Sequence, residues 1–244
     1  MTYCVGLMVD EGMVLLSDTR TNAGLDNIAT YQKMFTFEEP GERVIVILTA
    51  GSLSTTQTVI AKLSEAIEHP DATPETSFML APTLLAAVDI IGNMLSDVTL
   101  EISEKMNRMN QAASASFIVA GQRAGGEARM FLVYPEGNYI EATHDTPYLQ
   151  IGEHKYGKPI LDRVIRKSTS LKDARKAALL SMDSTLRSNL SVGMPLDLAM
   201  IRDGEYQVSQ YQRIEAGDPE FSALSDSWSK ALRDSFAAIH WAAS

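Results

Sequence analysis

The order of two apolar patterns along the chain is the feature that most constrains its fold. Short β-branched and aromatic runs fill roughly the first fifty residues, and residues 53–68 and 82–109 then carry apolar side chains at helical spacing. A second set of strand-like runs, a second pair of helical segments and two last strands follow. This order predicts an α+β fold in which two sheets pack face to face between outer helices, a four-layer αββα sandwich.

The N-terminal runs have the organisation of a hairpin. Residues 3–9 and 13–17 are separated by an acidic turn over residues 10–12, so the chain should double back there. The turn places Thr2, before the first strand, and Asp18, after the second, near the same end of the hairpin. Further strands are predicted at 31–37, 43–49, 116–122, 128–134, 139–143, 148–151, 195–202 and 206–211, and further helices at 155–166 and 171–187.

Length and composition indicate one domain over residues 1–244. Of the 244 residues, 45% are hydrophobic, and a single core accommodates a chain of this length. Residues 217–244 are expected to add a C-terminal helical extension, which Pro219 can begin. Its apolar residues recur near helical spacing at Phe221, Leu224, Trp228, Leu232, Phe236 and Trp241. This stripe could pack on its own subunit or contact a neighbouring subunit, and the sequence favours neither alternative.

The charge and the apolar segments exclude several classes of partner. Asp and Glu outnumber Lys and Arg by 31 to 21, and the resulting formal charge of −10 disfavours nucleic acid and anionic membrane surfaces. The longest apolar stretch, residues 79–95, is interrupted by Pro82, Asp89 and Asn93, so we interpret it as a core or interface helix and expect no membrane span. No signal peptide is visible, and the single Cys4 allows no internal disulfide, so we expect a cytoplasmic protein.

Metal and nucleotide chemistry have no recognisable pattern in the sequence. The histidines at positions 69, 144, 154 and 240 are far apart and form no ligand motif with cysteine or carboxylates. A phosphate-binding loop of the Gly-x-x-x-x-Gly-Lys-Ser/Thr type is also missing from the sequence. We therefore expect no metal site, no cofactor and no ATP hydrolysis by this chain.

Thr2 is the candidate nucleophile. A small residue after the initiator allows Met1 to be removed, and the new N-terminus would carry both a hydroxyl and an amine that is partly unprotonated at neutral pH. The amine can accept the hydroxyl proton while the oxygen attacks a carbonyl group. Many chains begin with Met and Thr, so this residue alone does not establish the chemistry.

Asp18 and Lys33 are the candidate partners of Thr2. Asp18 follows the second strand of the hairpin, and Lys33 lies in the next strand-like run. A carboxylate can hold an ammonium close to the nucleophile, and a desolvated lysine there would lower the pKa of the Thr2 hydroxyl or relay its proton. The alternative interpretation is a surface ion pair worth at most about 1 kcal/mol.

Longer segments give these residues a context. Thr2, residues 17–20, Lys33 and residues 50–52 resemble the proteasome β-subunit and HslV group of N-terminal threonine hydrolases. The segments QIGEHKYGKP, at 150–159, and STLRSNLSVG, at 184–193, resemble more narrowly the Anbu family of bacterial proteasome-like ancestral β-subunits. The resemblance covers nearly the whole chain outside the C-terminal tail, and it implies the N-terminal nucleophile hydrolase fold.

The resemblance also implies roles for individual residues. Thr2 would be the nucleophile, with its own amine as the general base. Asp18 would orient and neutralise Lys33, and Lys33 would tune the Thr2 hydroxyl. Gly51 would lend its backbone N–H to the oxyanion, and Thr21 would help to align the peptide as an added strand.

The chain departs from the proteasome pattern at two places. Ser188 and Ser191 stand where proteasomes have an Asp and a Ser around the threonine amine, so the acid is replaced. The Gly-Ser-Gly element that sets a serine beside the nucleophile is also replaced, and Gly152, Glu153 and His154 stand in the comparable region. Glu153 or His154 could substitute for that serine, or the two could be a solvated loop pair.

The function that the resemblance implies is that of a self-compartmentalising threonine peptidase or amidase. It would act on a peptide or amide substrate without a cofactor, and it would assemble as a homo-oligomer, either ring-like or open and helical. The departures from the pattern support a second hypothesis, a catalytically weak scaffold that binds peptides or partner enzymes. The family's usual gene neighbours encode ATP-grasp and transglutaminase-like proteins, which are the implied partners. A small-molecule amidohydrolase would share the chemistry and differ in pocket size.

Overall fold

The computed structural model describes residues 2–22, 28–106 and 113–240, without the side chains of Asn22, Ile28 and Met106. In chain order the strands are β1 (Tyr3–Val9), β2 (Gly12–Asp18), β3 (Arg20–Asn22), β4 (Ile28–Thr30), β5 (Met34–Glu39), β6 (Arg43–Gly51), β7 (Ala115–Arg123), β8 (Arg129–Val133), β9 (Tyr139–Glu141), β10 (Tyr148–Gly152), β11 (Leu196–Arg202) and β12 (Gln210–Ile214). The helices are α1 (Leu53–Glu68), α2 (Leu84–Met106), α3 (Lys158–Val164), α4 (Leu171–Ser188) and α5 (Pro219–Ala238).

Within the described ranges, the strands form two five-stranded sheets and one short ribbon. The first sheet has the order β10, β1, β2, β11, β12, and the second has the order β5, β6, β7, β8, β9. All neighbouring strands in both sheets are antiparallel. The ribbon pairs β3 with β4 and lies outside both sheets.

The two sheets pack face to face, and the helices cover their outer faces. In the part of the chain that the structure describes, buried apolar side chains form three clusters. One cluster joins the first sheet to α3 and α4, a second joins the second sheet to α1 and α2, and the third lies between the sheets. Three interfaces between four layers make an αββα sandwich, so the fold predicted from the sequence is confirmed.

β1 shows how one strand contributes to two of these clusters. Tyr3, Val5 and Leu7 face the helices that cover the first sheet, whereas Cys4 and Met8 face the second sheet. Successive side chains of a strand point to opposite faces, and here both faces are covered. The strand is therefore apolar along its whole length. Thr2 lies at its N-terminal end, where one face of the strand packs between the two sheets.

Side-chain caps fix where three of the helices begin. Ser52, Ser170 and Asp218 each accept a hydrogen bond from the backbone N–H three residues further on, at the starts of α1, α4 and α5. Pro219 occupies the first turn of α5, where its missing N–H costs nothing. Because Ser52 follows β6 directly, the N-terminus of α1 lies at one end of the second sheet.

The last strand lies further along the chain than the sequence predicts. The run 206–211 was expected to be a strand, but β12 is Gln210–Ile214. Tyr206 has a φ of 50°, a left-handed conformation that excludes it from an extended strand. The strand is instead defined by its pairing with β11, in which Leu196 stands opposite Ile214. This prediction is therefore wrong by about four residues.

Smaller differences affect four other elements. β5 begins at Met34, so Lys33 precedes the strand that was expected to contain it. α3 occupies only Lys158–Val164 of the predicted 155–166, and α2 begins at Leu84 within the predicted 82–109, whose last three residues lie outside the described ranges. α5 occupies most of the expected C-terminal segment, although Trp241 lies outside the described residues. None of the helices in these ranges is long and apolar enough to cross a membrane.

Candidate active site

Thr2 lies in a cleft at one end of the sandwich. It precedes β1 and is 8% exposed. The cleft has a volume of about 540 Å³. It is lined by Thr2, Thr21, Gln32, Lys33, Thr49, Ala50, Gly51, Leu53, Thr56, Gly152 and Glu153. These residues come from the ends of both sheets, from the β3–β4 ribbon and from the first turn of α1, so the site is assembled from distant parts of the chain.

The hairpin of β1 and β2 brings Asp18 beside Thr2. Cys4 pairs with Ser17, so the last residue of β2 lies next to the first residue of β1. Oδ1 of Asp18 accepts a hydrogen bond from the Tyr3 backbone N–H at 3.1 Å, and Oδ2 accepts one from the Gly193 N–H at 3.2 Å. The predicted hairpin is therefore confirmed, and its carboxylate is held by two backbone donors.

Lys33 reaches the same carboxylate from the other side of the cleft. Its Nζ donates to Oδ1 of Asp18 at 2.8 Å and to the backbone oxygen of Arg20 at 2.6 Å. The backbone oxygen of Lys33 accepts from the N–H of Thr49 at 2.9 Å, which ties the lysine segment to β6. The exposed fractions of the two side chains are 6% for Lys33 and 0% for Asp18, so the surface-pair interpretation is wrong.

Burial sets the electrostatics of this end of the hairpin. It raises the pKa of the Asp18 carboxyl, while the Lys33 ammonium and the Tyr3 and Gly193 amides reduce that rise. It also raises the pKa of the Cys4 thiol, and the charge of Asp18 adds to the effect. Cys4 therefore remains a neutral thiol at neutral pH and is not itself a candidate nucleophile, unlike Thr2.

Gly51 and the start of α1 form the opposite wall. Gly51 has a φ of 114°, and a Cβ at this position would lie 2.4 Å from the backbone oxygen of Ser114, so only glycine fits here. The next residue, Ser52, caps α1, and Leu53 and Thr56 of that helix line the cleft. The wall thus combines an uncovered backbone with the positive end of a helix dipole, which favours negative charge.

Thr21 lies in β3 on a further side of the cleft. It pairs with Ala29 of β4, and within the described ranges β3 pairs with no other strand. The second edge of this ribbon therefore has backbone groups that an extended ligand can pair with.

Comparison with known proteins identifies the family of this chain. The sequence model of the family described as "Proteasome subunit" matches residues 2–201. The chain belongs to the proteasome subunit family. Curated proteins give no match.

Solved structures place the chain with the Anbu members of this family. An Anbu (Gly-1) mutant from Hyphomicrobium sp. strain MC1 is 45% identical, with 100% of each chain covered and a TM-score of 0.92. Anbu from Yersinia bercovieri is 40% identical, with 98% of this chain and 97% of that chain covered and a TM-score of 0.90. A structure described as the helical assembly of the Anbu complex from Pseudomonas aeruginosa is 43% identical, with 99% and 98% covered and a TM-score of 0.92. The resemblance noted from the sequence is therefore confirmed.

The two serines expected around the amine lie away from the cleft lining. Ser188 is the last residue of α4, its side chain is exposed, and it makes no side-chain hydrogen bond within the described residues. Ser191 is half-buried, and its backbone N–H donates to Oδ1 of Asn189 at 2.9 Å. Of the seven predicted site residues, this Anbu-like chain therefore brings together Thr2, Asp18, Lys33, Gly51 and Thr21.

Two neighbouring loops contribute Glu153, which the sequence left as an open alternative, and Asn189, which it did not assign. Gly152 has a φ of 79°, and a Cβ there would lie 2.0 Å from the backbone oxygen of Thr2. That same oxygen accepts a hydrogen bond from the N–H of Glu153 at 2.7 Å. The carboxylate of Glu153 accepts a hydrogen bond from Nδ2 of Asn189 at 3.1 Å. The sequence signal was the glutamate in place of the usual Gly-Ser-Gly element; nothing in the sequence pointed to Asn189.

Proposed function

We propose that the chain is an N-terminal threonine peptidase or amidase that cleaves peptide or amide bonds through an acyl ester on Thr2. The observation that carries this proposal is the convergence of Thr2, Lys33 and Gly51 in one cleft, with the buried Asp18 paired to Lys33. A family match over residues 2–201 supports it, since the nucleophile and its partners fall within the matched range.

The chemistry requires that Met1 be removed first, because the nitrogen of Thr2 is an amide while Met1 is attached. The freed amine takes the hydroxyl proton as Oγ attacks the substrate carbonyl, which forms a C–O bond and a tetrahedral intermediate. The ammonium then protonates the leaving amine as the C–N bond breaks, which leaves the acyl ester on Thr2. Water deprotonated by the same amine attacks the ester and restores the hydroxyl.

The charges around Thr2 suit this sequence of steps. The ammonium of Lys33, held by Asp18, favours the deprotonated form of a hydroxyl that approaches it. The oxyanion would form beside Gly51 and the N-terminus of α1, where a backbone N–H and the helix dipole stabilise negative charge. The negative charge of Asp18 is paired with the Lys33 ammonium, so it should repel the oxyanion less than a free carboxylate would.

The substrate would be an extended peptide or a related amide. The free edge of β3 at Thr21 can pair with its backbone, and the small, uncharged side chains of Thr49, Ala50 and Thr56 in the cleft lining leave room for a substrate side chain. Self-compartmentalisation by homo-oligomers, ring-like or helical, is part of the proposal, because the Pseudomonas aeruginosa relative is described as a helical assembly. ATP-grasp and transglutaminase-like proteins remain proposed partners.

Intact-mass spectrometry with a peptide epoxyketone tests the proposal. This warhead needs both the hydroxyl and the amine of an N-terminal threonine. We expect the wild type and Thr2→Ser to lose Met1 and gain one adduct, and Thr2→Ala to lose Met1 and gain none. The matched variants all keep a small second residue, so Met1 removal should not differ among them. An adduct on Thr2→Ala, or none on wild type that lacks Met1, would overturn the proposal.

A catalytically weak scaffold is the second candidate function. It is favoured by the exposed side chain of Ser188, which leaves the position of the usual acid without a role at the cleft. Co-purification with a co-expressed ATP-grasp or transglutaminase-like neighbour, unchanged in Thr2→Ala and without any adduct in the wild type, would support this candidate. Loss of co-purification in Thr2→Ala would exclude the scaffold function.

A further inference from the structure

We propose that Glu153, held in place by Asn189, is the carboxylate that binds the Thr2 amine in this chain and replaces the acid missing at position 188. The inference rests on the proposed function, since it concerns the same amine. It gives a role to the one charged residue of the cleft lining that the mechanism above leaves unused; the other charged lining residue is Lys33.

The backbone geometry places Glu153 on the side to which the Thr2 nitrogen is directed. In an antiparallel ladder one residue directs its N–H and its C=O toward the same neighbouring strand. The Thr2 oxygen accepts from the N–H of Glu153, on the side of β10, whereas the N–H of Tyr3 points to Asp18, on the side of β2. The nitrogen of Thr2 therefore faces the β10 side, away from Asp18 and toward Glu153.

Gly152 allows this close approach. Its φ of 79° turns the chain at the end of β10, and a Cβ at this position would overlap the Thr2 backbone. With glycine, residue 153 lies directly against Thr2. A serine-containing element at this position, as in the proteasome pattern, would offer a hydroxyl; here the next side chain is a carboxylate.

Asn189 fixes the orientation of that carboxylate. It is 9% exposed and lies directly after α4. Its Nδ2 donates to Oε2 of Glu153 at 3.1 Å, and its Oδ1 accepts from the N–H of Ser191 at 2.9 Å. The amide thus joins the loop after α4 to the loop after β10. One carboxylate oxygen of Glu153 remains without a hydrogen bond within the described residues, and it is available to an ammonium.

The other charged groups near Thr2 give this carboxylate a specific task. Lys33, which lines the cleft, is cationic and disfavours a protonated amine; the Arg20 guanidinium, whose Nη1 donates to the Leu190 oxygen at 3.0 Å, is a second cation, at the loop after α4. Asp18 is engaged by Lys33 and two amides, and the exposed His154 ring lies against the Gly152 oxygen. Glu153 is therefore the group placed to stabilise the ammonium that forms when Thr2 acts as a base.

The test measures the amine directly, so it does not depend on turnover. A fusion protein cleaved immediately before Thr2 supplies the free amine in every variant. Trace labelling with acetic anhydride at a series of pH values, with the N-terminal peptide quantified by mass spectrometry, gives the midpoint at which the amine becomes reactive. We expect Glu153→Gln to lower this midpoint by about 0.5–1 pH unit, because an opposite charge next to the ammonium is lost. Glu75→Gln, an exposed glutamate in the loop after α1, is the matched control and should leave the midpoint unchanged.

Asn189 and the epoxyketone complete the design. Asn189→Ala should lower the midpoint by a smaller amount than Glu153→Gln does. Glu153→Asp, which keeps the carboxylate on a shorter side chain, should have a midpoint between those of Glu153→Gln and the wild type. Epoxyketone adduct formation on the same proteins should slow by up to about tenfold in Glu153→Gln, since the loss of one pKa unit makes the amine a tenfold weaker base. An unchanged midpoint in Glu153→Gln overturns this inference whether or not adducts form. A shifted midpoint without any adduct on the wild type supports the inference and overturns the proposed function.

Discussion

The Nζ of Lys33 lies 2.8 Å from Oδ1 of Asp18, and neither side chain is appreciably exposed. A charged pair removed from water in this way is costly to assemble, and it contributes little to stability compared with an apolar pair of the same volume. The proposed role of Lys33, which lines the cleft that contains Thr2, explains the pair better than stability does. We therefore interpret the pair as part of the proposed active site.

Removing one member of the pair should therefore be more harmful than removing both. Lys33→Met leaves the Asp18 carboxylate buried without its ammonium and should lower the free energy of unfolding by about 3–5 kcal/mol. Adding Asp18→Asn should recover part of that loss, because the uncharged amide removes the unpaired buried charge and its one oxygen can still accept from the N–H of Tyr3, although its NH2 group cannot accept from Gly193. Urea unfolding of the three proteins measures this difference. Equal stability of the single and double variants would show that the carboxylate does not depend on the lysine.

The backbone of Gly152 gives a prediction about the position of Thr2. Gly152→Ala places a Cβ about 2.0 Å from the Thr2 oxygen, which must move, whereas Gly125→Ala, at a nearly identical φ of 75°, places its Cβ in open space. Both variants should lose about 1–2 kcal/mol from left-handed backbone strain. Only Gly152→Ala should also lose epoxyketone adduct formation, as read by intact mass. Loss of the adduct in both variants would contradict the local explanation.

The parts of the site that are local in the sequence could be predicted from it. The hairpin that unites Thr2 and Asp18 follows from two apolar runs around an acidic turn, and Lys33 was a candidate as a lysine in the next strand-like run. Resemblance to a family added Gly51 and Thr21. The contact between Glu153 and Asn189 joins two loops 36 residues apart. The glutamate could be singled out as a departure from the family pattern, but nothing in the sequence pointed to Asn189. Only the packing of α4 against the first sheet brings the two together.

The fold shows the same division between local and distant information. Layer order follows from the alternation of strand-like and helical segments, because each pattern is contained in a short window. The position of β12 does not, since the run around Tyr206 has strand-like composition but a left-handed residue at its start. The register in which Asp197 stands opposite Arg213 decides where that strand lies, and this pairing is made only in the folded sheet.

The buried hydroxyl of Tyr3 should make the fold less stable at alkaline pH. Burial raises the pKa of its hydroxyl to about 12, and the hydroxyl accepts a hydrogen bond from Gln150 at 2.7 Å and lies 3.1 Å from the Ser181 hydroxyl. Because the unfolded chain releases this proton near pH 10, as an ordinary tyrosine does, the native state retains it over the window from about 10 to about 12. The contribution is therefore complete below pH 10 and is lost as the pH rises through about 12.

A comparison with Tyr3→Phe isolates this contribution. Between pH 9 and pH 11.5 the free energy of unfolding of the wild type should fall by roughly 2 kcal/mol more than that of Tyr3→Phe, since each unit of pKa difference corresponds to about 1.4 kcal/mol. The other tyrosines and the lysines are common to both proteins and cancel. Urea unfolding at the two pH values is the measurement. Parallel pH curves for the two proteins would show that the Tyr3 hydroxyl does not keep its proton in the native state.

α5 carries one apolar residue that packs against its own subunit and another that we expect to contact a neighbouring subunit. Leu224 packs against the cluster under the first sheet, whereas Phe236, three turns later, is 82% exposed. Leu232 and Ile239 are exposed as well and lie on the same side as Phe236 at spacings of four and three residues, so they form an apolar stripe beyond the body of the domain.

Leu224→Ala should lower the free energy of unfolding of the subunit by about 1–3 kcal/mol through lost apolar burial. Phe236→Ala should change it by less than about 0.5 kcal/mol, because the ring is exposed in the isolated chain. Sedimentation velocity should show the opposite ranking, with a smaller assembled fraction for Phe236→Ala than for Leu224→Ala. If Phe236→Ala sediments like the wild type at every concentration, the stripe takes no part in assembly, and the open question about this helix is settled in favour of a surface that contacts no neighbour.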